Sequence, residues 1–254
     1  MTQRSAHFPV PRILSRFWAW LRRPTSAMGV VGRILLVLFL FFTLDIGRYF
    51  FWPFVGNLAG VNPERTSFME YRERQWRRAG EERQIAHTWR DMKRMSRYLP
   101  LAVTIAEDDT FWEHGGFDLK GMREAMEANL RLGRLSAGGS TITQQLVKNL
   151  YFTPDKSILR KIKEAIVTWR MERALGKERI LELYLNVVEW GPGIFGAEAA
   201  SRAWFKKGAG SLTAREAAVL ASMLPNPLVR KPGSSVVQRK ATIIVRAMQR
   251  RGVR

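Results

Sequence analysis

A mainly α-helical catalytic domain preceded by one membrane-spanning helix is the fold class the sequence predicts. Downstream of residue 98, apolar residues recur at helical spacing in one segment after another. No convincing alternating strand pattern and no internal repeat accompanies them, and an apolar stretch led by arginines lies near the N-terminus. With 254 residues, 46% of them hydrophobic, the chain has room for one core of roughly 150 to 200 residues plus accessory segments, so one catalytic domain is expected.

The N-terminal stretch has an orientation written into it. No acidic residue occurs before Asp45, whereas Arg4, Arg12, Arg16, Arg22, Arg23 and Arg33 precede or enter an apolar run over 34–44. Counted from Ala27 to about Trp52, the segment is long enough to cross about 30 Å of hydrocarbon, provided Arg33 snorkels and Asp45 and Arg48 sit near the far interface. A cleaved signal peptide is the competing reading, from the basic leader and short apolar centre. The long basic region, the lack of a small-x-small site after Leu44, and the aromatic belt of Tyr49, Phe50, Phe51, Trp52 and Phe54 favour an anchor. The expected order is a cytoplasmic basic tail (1–28), a transmembrane helix (29–54), a juxtamembrane linker or helix (55–83) whose arginines could rest on anionic headgroups, and the catalytic domain (84–254) outside the cytoplasm.

The apolar run over 98–106 ends abruptly in Glu107, Asp108 and Asp109, and Asp118 can cap a helix carrying Met122, Ala125, Met126 and Leu130 on one side. Gly133 to Gly139 reads as a flexible break. Ser140 then caps a helix with Thr141, Gln144, Gln145 and Lys148 on a polar flank. Past Pro154 a long helix places Ile158, Ile162, Ala165, Ile166 and Trp169 on one stripe, roughly opposite Arg160, Glu164 and Met171. Ile180, Leu181, Tyr184, Leu185 and Val188 repeat at helical spacing, and Thr213-Ala-Arg-Glu216 is a capping box opening an Ala-rich helix stopped by Pro225 and Pro227. Arg239, Lys240, Arg246, Arg250 and Arg251, interleaved with Ile243, Ile244 and Met248, make a basic amphipathic C-terminal helix, expected to close onto the core.

Lys and Arg outnumber Asp and Glu by 42 to 22, a formal +20 that points to polyanionic partners: nucleic acid, anionic lipid or pyrophosphate. Cysteine is absent, which excludes disulfides and thiolate metal sites, and His7, His87 and His114 are too scattered for a transition-metal centre. Glu107, a carboxylate at the lip of an apolar wall, suits a general acid or base, although a solvated helix end looks the same in sequence. The stretch Gly138-Gly-Ser-Thr-Ile-Thr-Gln-Gln-Leu-Val-Lys-Asn149 pairs a tight turn with a helix start rich in donors, where an anion could sit. An amide-rich capped helix is the plainer reading. Arg160-Lys-Ile-Lys-Glu164 sets three cations within a turn of a carboxylate, as a surface ion pair also would. The glycine-rich exit around Asn186, Trp190, Gly191, Gly193 and Gly196 could line a cleft or merely allow close approach.

Taken together these segments resemble the peptidoglycan glycosyltransferase domain shared with class A penicillin-binding proteins. Glu107-Asp-Asp-Thr-Phe-Trp-Glu-His-Gly-Gly-Phe-Asp118 looks like the first signature of that family, and Gly139-Ser-Thr-Ile-Thr-Gln-Gln-Leu-Val-Lys-Asn149 like the second. Arg160-Lys-Ile-Lys-Glu164 is similar to the third. Lys177-Glu-Arg-Ile-Leu-Glu-Leu-Tyr-Leu-Asn186 with Gly191-Pro-Gly-Ile-Phe-Gly-Ala-Glu-Ala-Ala-Ser201 is similar to the fourth, and the segment from Ala214 to Pro227 to the fifth. Five blocks in the family's order over about residues 83 to 230 make coincidence negligible. With Arg254 as its last residue, the chain resembles the monofunctional biosynthetic transglycosylases rather than the bifunctional enzymes.

The resemblance implies a lysozyme-like helical fold with a smaller membrane-dipping lobe, around Gly121 to Ser136. It also implies polymerisation of lipid II into β-1,4-linked glycan with release of undecaprenyl pyrophosphate, at the bacterial inner membrane. Glu107 is then the expected base for the acceptor hydroxyl. The departing pyrophosphate needs cations more than a proton, and Lys148, Arg160, Lys161 and Lys163 accompany the carboxylates. A hydrolase such as lysozyme needs a protonated acid for its poorer leaving group. Glu164 would stabilise the reacting centre, position the acceptor pyrophosphate through its neighbouring cations, or help hold a divalent ion.

Ser140, Thr141, Gln144, Gln145, Lys148 and Asn149 are the expected substrate contacts, joined by Arg160, Lys161, Lys163 and Asn186. Asp108, Phe111 and His114 belong to the same site as shapers of the base's surroundings. No tightly bound cofactor is expected, while a Mg or Mn ion bridging pyrophosphate and a carboxylate is compatible with this set. Expected partners are lipid II, the growing strand, anionic lipid and other wall-synthesis proteins, but not nucleic acid. The rival readings are a lysozyme-like glycan hydrolase and a non-enzymatic basic membrane protein.

Overall fold

The computed structural model describes residues 26–133, 139–155 and 157–253, which form two units, one ending at Arg48 and one starting at Tyr49. The expected basic tail, up to residue 25, and most of the flexible break before Gly139 lie outside the described residues.

The first unit holds the helix α1 (Ala27–Gly47), whose N-terminal Ser26 side chain accepts from the Gly29 amide. Its 21 residues, at about 1.5 Å each, match the roughly 30 Å of a bilayer's hydrocarbon. Leu35, Phe39, Phe41 and Leu44 are exposed along it, and the Thr43 hydroxyl is turned back onto the Phe39 carbonyl at 2.8 Å, which hides its polarity. At the far end Asp45 and Arg48 neutralise each other at 3.2 Å. Among the described residues this is the one helix both long and apolar enough to cross a membrane.

The second unit is mainly helical, as expected. The helix α2 (Ser67–Arg78) is capped by Thr66 and buries Met69 and Trp76. The stretch 55–83, expected as a linker or helix lying on headgroups, is therefore in large part core-forming: Val55 and Leu58 join the buried cluster, and Arg72 grips Glu189 through three hydrogen bonds of 2.9 to 3.1 Å. Arginines hid this in the sequence, because a charged residue that satisfies a buried carboxylate has the same spacing as one facing solvent.

Next come β1 (Ala86–His87) and α3 (Tyr98–Glu107), followed by α4 (Leu119–Leu132), α5 (Ile142–Tyr151), α6 (Ile158–Ala174) and α7 (Lys177–Val187). The chain then forms β2 (Glu189–Gly191), β3 (Ile194–Phe195), α8 (Ala197–Phe205), α9 (Ala214–Met223) and α10 (Ser235–Arg250). The core has two helical layers: α3 is sandwiched with α9 and α10, while α5 packs between α6 and α7. As expected, the C-terminal helix closes onto the core, burying Val237, Ala241, Ile244 and Met248. The Thr213–Glu216 capping box forms as the sequence predicts.

Three local expectations change. The glycine-rich exit after α7 is a small sheet, order β1-β3-β2, with β1 parallel to β3 (Ala86↔Ile194, His87↔Phe195) and β2 antiparallel to it. Strands of two or three residues are too short to show alternation. Gly193 makes the turn at φ +75°, and a Cβ there would sit 2.6 Å from the Trp76 ring. The cap of α5 is Thr141, one residue beyond Ser140, in a reciprocal box with Gln144.

The third change concerns which way α4 and α6 face. On α6, Ile158, Ile162 and Trp169 are 84%, 43% and 46% exposed, whereas Glu164 is 1% exposed and Val167, Thr168 and Met171 are buried with it. On α4, Met122, Met126 and Leu130 are likewise exposed, although Asp118 caps the helix as expected through the Gly121 amide at 2.8 Å. Helical period locates an apolar stripe but carries no information on whether core or another apolar phase covers it.

The Arg72–Glu189 pair ties α2 to the sheet, with side chains 13% and 3% exposed. Removing one partner of such a pair strands a buried charge. Arg72→Ala is expected to cost about 3–5 kcal/mol at neutral pH. Burial already pushes the Glu189 carboxyl upward against the pull of Arg72, so the loss should shrink towards acidic pH, where Glu189 is neutral in both states. Thermal melts of both proteins in detergent across pH check this.

Candidate active site

The site is built where the C-terminal end of α3 meets the N-terminal half of α5. Glu107 is the last residue of α3, and Asp108 breaks the helix by taking an extended φ of −165°. The Asp108 carboxylate then does two jobs: Oδ2 accepts from the Ile142 amide at 2.9 Å and Oδ1 accepts from His114 Nε2 at 2.9 Å. Because the Gly116 amide donates to His114 Nδ1, Nδ1 is the acceptor and the Nε2–H donates in the hydrogen bond to Asp108 Oδ1. A negative side chain at the first turn of α5 also suits the helix dipole. The anion expected at that helix start is therefore the protein's own Asp108.

Glu107 lines a cleft of about 250 Å³ with Asp108, Asp118, Met122, Ser140 and Thr141. Its Oε2 accepts from Gln145 Nε2 at 2.8 Å, whereas Oε1 is buried without a partner among the described residues. Burial raises the Glu107 pKa, and the Gln145 bond together with the charges of Lys240, Arg230 and Lys148 pulls it back. The result is a carboxylate with one fixed oxygen and one free oxygen, held in a field that keeps it ionisable.

A cluster of cations adjoins this carboxylate: Lys148 of α5 acts on Glu107, and Arg160 and Lys161 of α6 adjoin Lys148. Lys148 is depressed mainly by burial and further by Arg160, while Glu107 acts in the opposite sense. Burial leads the lowering of Arg160, and Lys161 is lowered by burial and then by Lys148 and Arg160. These groups repel one another, so the site has a deficit of negative charge. Glu164 offsets part of it: Arg160 Nη1 pairs with Oε1, and Lys161 Nζ lies 3.5 Å from Oε2 while also donating to Ser140 Oγ at 3.1 Å. Both Glu164 oxygens are thus engaged by cations, a donor set that does not fit a divalent ion. Among the described residues no group of three or more His, Asp or Glu is placed to hold a metal.

The structure thus gathers Glu107, Ser140, Gln145, Lys148, Arg160, Lys161 and Glu164 around one region. Most of the other expected contacts are turned inward and satisfied by the protein. Phe111 is fully buried beneath Lys177, whose Nζ lies 4.4 Å from the ring centroid. Thr141 gives its hydroxyl to the Gly116 carbonyl at 2.8 Å, Gln144 closes the capping box, and Asn149 donates to the Gln145 carbonyl at 2.7 Å. Asn186 binds Arg90 through both backbone groups and donates to the Glu182 carbonyl, which fixes the segment just after β1 to α7. Lys163 points away, 5.2 Å from the Tyr49 ring. For Thr141, Gln144, Asn149 and Asn186 the residue type was legible but the satisfied hydrogen bond was not.

Three residues near Glu107 escaped sequence reading. Tyr184 stands in the sequence as one member of an apolar helical repeat; its hydroxyl donates to Gln145 Oε1 at 3.0 Å. Lys240 was one of many cations on the last helix, and Arg230, bonded to the Ser222 carbonyl, lies in the segment between α9 and α10. A lone hydroxyl in an apolar stripe was the available signal for Tyr184.

Comparison with known proteins follows the same blocks. The sequence matches the family described as Transglycosylase over residues 73–249. It is 50% identical over 204 residues to a biosynthetic peptidoglycan transglycosylase of Aromatoleum aromaticum, covering 80% of this chain and 87% of that protein. The proteins of the same name from Thiobacillus denitrificans and Dechloromonas aromatica are 42% and 43% identical, covering 91% and 87% of this chain and 95% and 97% of theirs. The mainly α, lysozyme-like architecture and the five signature blocks agree with this match, and the chain belongs to the transglycosylase family.

Proposed function

We propose that this protein polymerises lipid II, moving the growing glycan from its polyprenyl pyrophosphate to the 4-hydroxyl of the next lipid-linked disaccharide with inversion to a β-1,4 bond. The observation that carries this reading is a buried carboxylate with a free oxygen lying within the field of Lys148, which in turn adjoins Arg160 and Lys161. Glu107 Oε1 accepts the proton of the attacking hydroxyl as the new C–O bond forms and the bond to the pyrophosphate oxygen breaks. The leaving pyrophosphate departs as an anion, and Lys148, Arg160 and Lys161 neutralise it without supplying a proton. Glu164 holds Arg160 and Lys161 in place for that purpose.

A lysozyme-like hydrolase would use a raised Glu107 as well, but it gains nothing from the cations, since its alkoxide leaving group needs a proton. The Arg-rich leader and apolar α1 support a single-pass anchor in the inner membrane with the N-terminus in the cytoplasm. The outward apolar residues of α4 and α6 suit contact with the same lipid surface from which the substrate is drawn.

Glu107→Gln is expected to lower polymer formation from labelled lipid II by about 100-fold or more, the scale of a lost general base; gel separation of the products reads this, and wild-type-like polymer from the variant would remove Glu107 from the chemistry. The same variant should be the more stable protein. Burial raises the Glu107 pKa, so ionising it opposes folding. That penalty is absent below about pH 4, where the group is neutral folded or unfolded, and grows as pH rises through the folded value. Glu107→Gln should therefore melt at higher temperature than wild type at pH 8 and gain nothing at pH 4.

A further inference from the structure

We propose that Tyr184 is a positioning residue for transfer, setting the Gln145 amide with its NH2 end towards Glu107 and its oxygen away. This rests on the reading of Glu107 as the base. The two ends of a glutamine amide are nearly the same size, so sterics alone do not choose between them. Here Nε2 donates to Glu107 Oε2 at 2.8 Å and Oε1 accepts from Tyr184 Oη at 3.0 Å. Turned over, the amide would set its oxygen against a carboxylate oxygen with no proton between them. Tyr184 penalises that arrangement further, because its own proton would then lose its acceptor.

Tyr184 is fully buried on α7, across the layer from α3, and its phenol is held in the neutral, proton-bearing form by burial and by the carboxylates of Glu107 and Asp108. It remains a donor over the whole working pH range. The charged groups around Glu107 are Lys148 from α5, Arg230 from the segment after α9, Lys240 from α10 and, along the same cleft, Asp108, Asp109 and Asp118. None of these touches the far end of the Gln145 amide in a way that would fix its sense. Removing the Tyr184 hydroxyl leaves the buried Gln145 oxygen without a donor, takes away one of the three contacts that set the sense of the amide beside Glu107 and the Ser140 carbonyl, and weakens the support given to ionised Glu107.

The test is Tyr184→Phe in the detergent-solubilised full chain, which keeps the ring and hence the core. Polymerisation is expected to fall by about 3- to 10-fold at pH 6, the scale of one buried hydrogen bond, and to recover towards wild type at pH 8.5, because a further rise in the carboxyl pKa removes most base at the acidic end. An infrared titration of 13C-labelled glutamate, with Glu107→Gln as the blank, should show the Glu107 carboxylate forming at higher pH in Tyr184→Phe. A uniform drop at both pH values, no drop, or an unmoved titration overturns the proposal. If Glu107→Gln polymerises normally, the base assignment fails, whereas the titration still decides whether Tyr184 sets the ionisation of Glu107. Should Tyr184→Phe not fold, 3-fluorotyrosine at position 184 keeps the shape and donates more strongly. A pH 6 to pH 8.5 rate ratio above wild type then supports the proposal, and an equal or lower ratio overturns it.

Discussion

A carboxylate must be kept dry and yet ionised, and the arrangement around Glu107 follows from that requirement. Withdrawal from water raises its proton affinity, which makes it a better base but threatens to leave it protonated and useless. The protein meets both demands by giving one oxygen a fixed donor, Gln145, and leaving the other free, while Lys148, Arg230 and Lys240 supply positive potential from three separate elements. The helical layers can be understood as the means of bringing those elements to the end of α3: α5 delivers Gln145 and Lys148, and α10 closes over α3 with Lys240 on its length.

The second carboxylate shows the opposite solution. Glu164 is as deeply buried as a core residue, yet both its oxygens are bound by cations that are themselves partly withdrawn from water. A buried ion pair of this kind contributes little net stability, since desolvation consumes much of the attraction. What it does provide is geometry: it holds Arg160 and Lys161 beside Lys148 despite their mutual repulsion. Those cations are then pre-assembled where a pyrophosphate would otherwise have to gather them, which lowers the reorganisation required at the moment of transfer.

Apolar patterning was the strongest signal in the sequence and also the one most easily misread. The stripe on α6 is real, but it is the exposed face of the helix, and the buried face carries Glu164, Thr168 and Met171. The same inversion on α4 leaves Met122, Met126 and Leu130 outward. In a water-soluble enzyme such faces would be a liability. The usual equation of apolar with interior fails on both helices, because helical period marks an apolar stripe without saying what covers it.

Sequence alone determined the helical class, the apolar N-terminal helix, the capping of α9 and of α4, the closure of the last helix, and the chemical identity of the site: two carboxylates, an amide-rich helix and a run of cations in a fixed order. These are local properties, fixed by period, caps and residue type within one segment. Tertiary structure decided which of the candidates reach the site. Asn149, Asn186, Gln144 and Thr141 spend their polar atoms on the protein's own backbone, Lys163 turns to Tyr49, and Asp108 occupies the helix end that looked open to a ligand. It also recruited α2 into the core through Arg72 and brought Tyr184 to Gln145 across 39 positions of chain. Hydrogen-bond partners distant in sequence leave no periodic trace, so a satisfied polar group and a waiting one are spelled with the same letters until the fold brings their partners together.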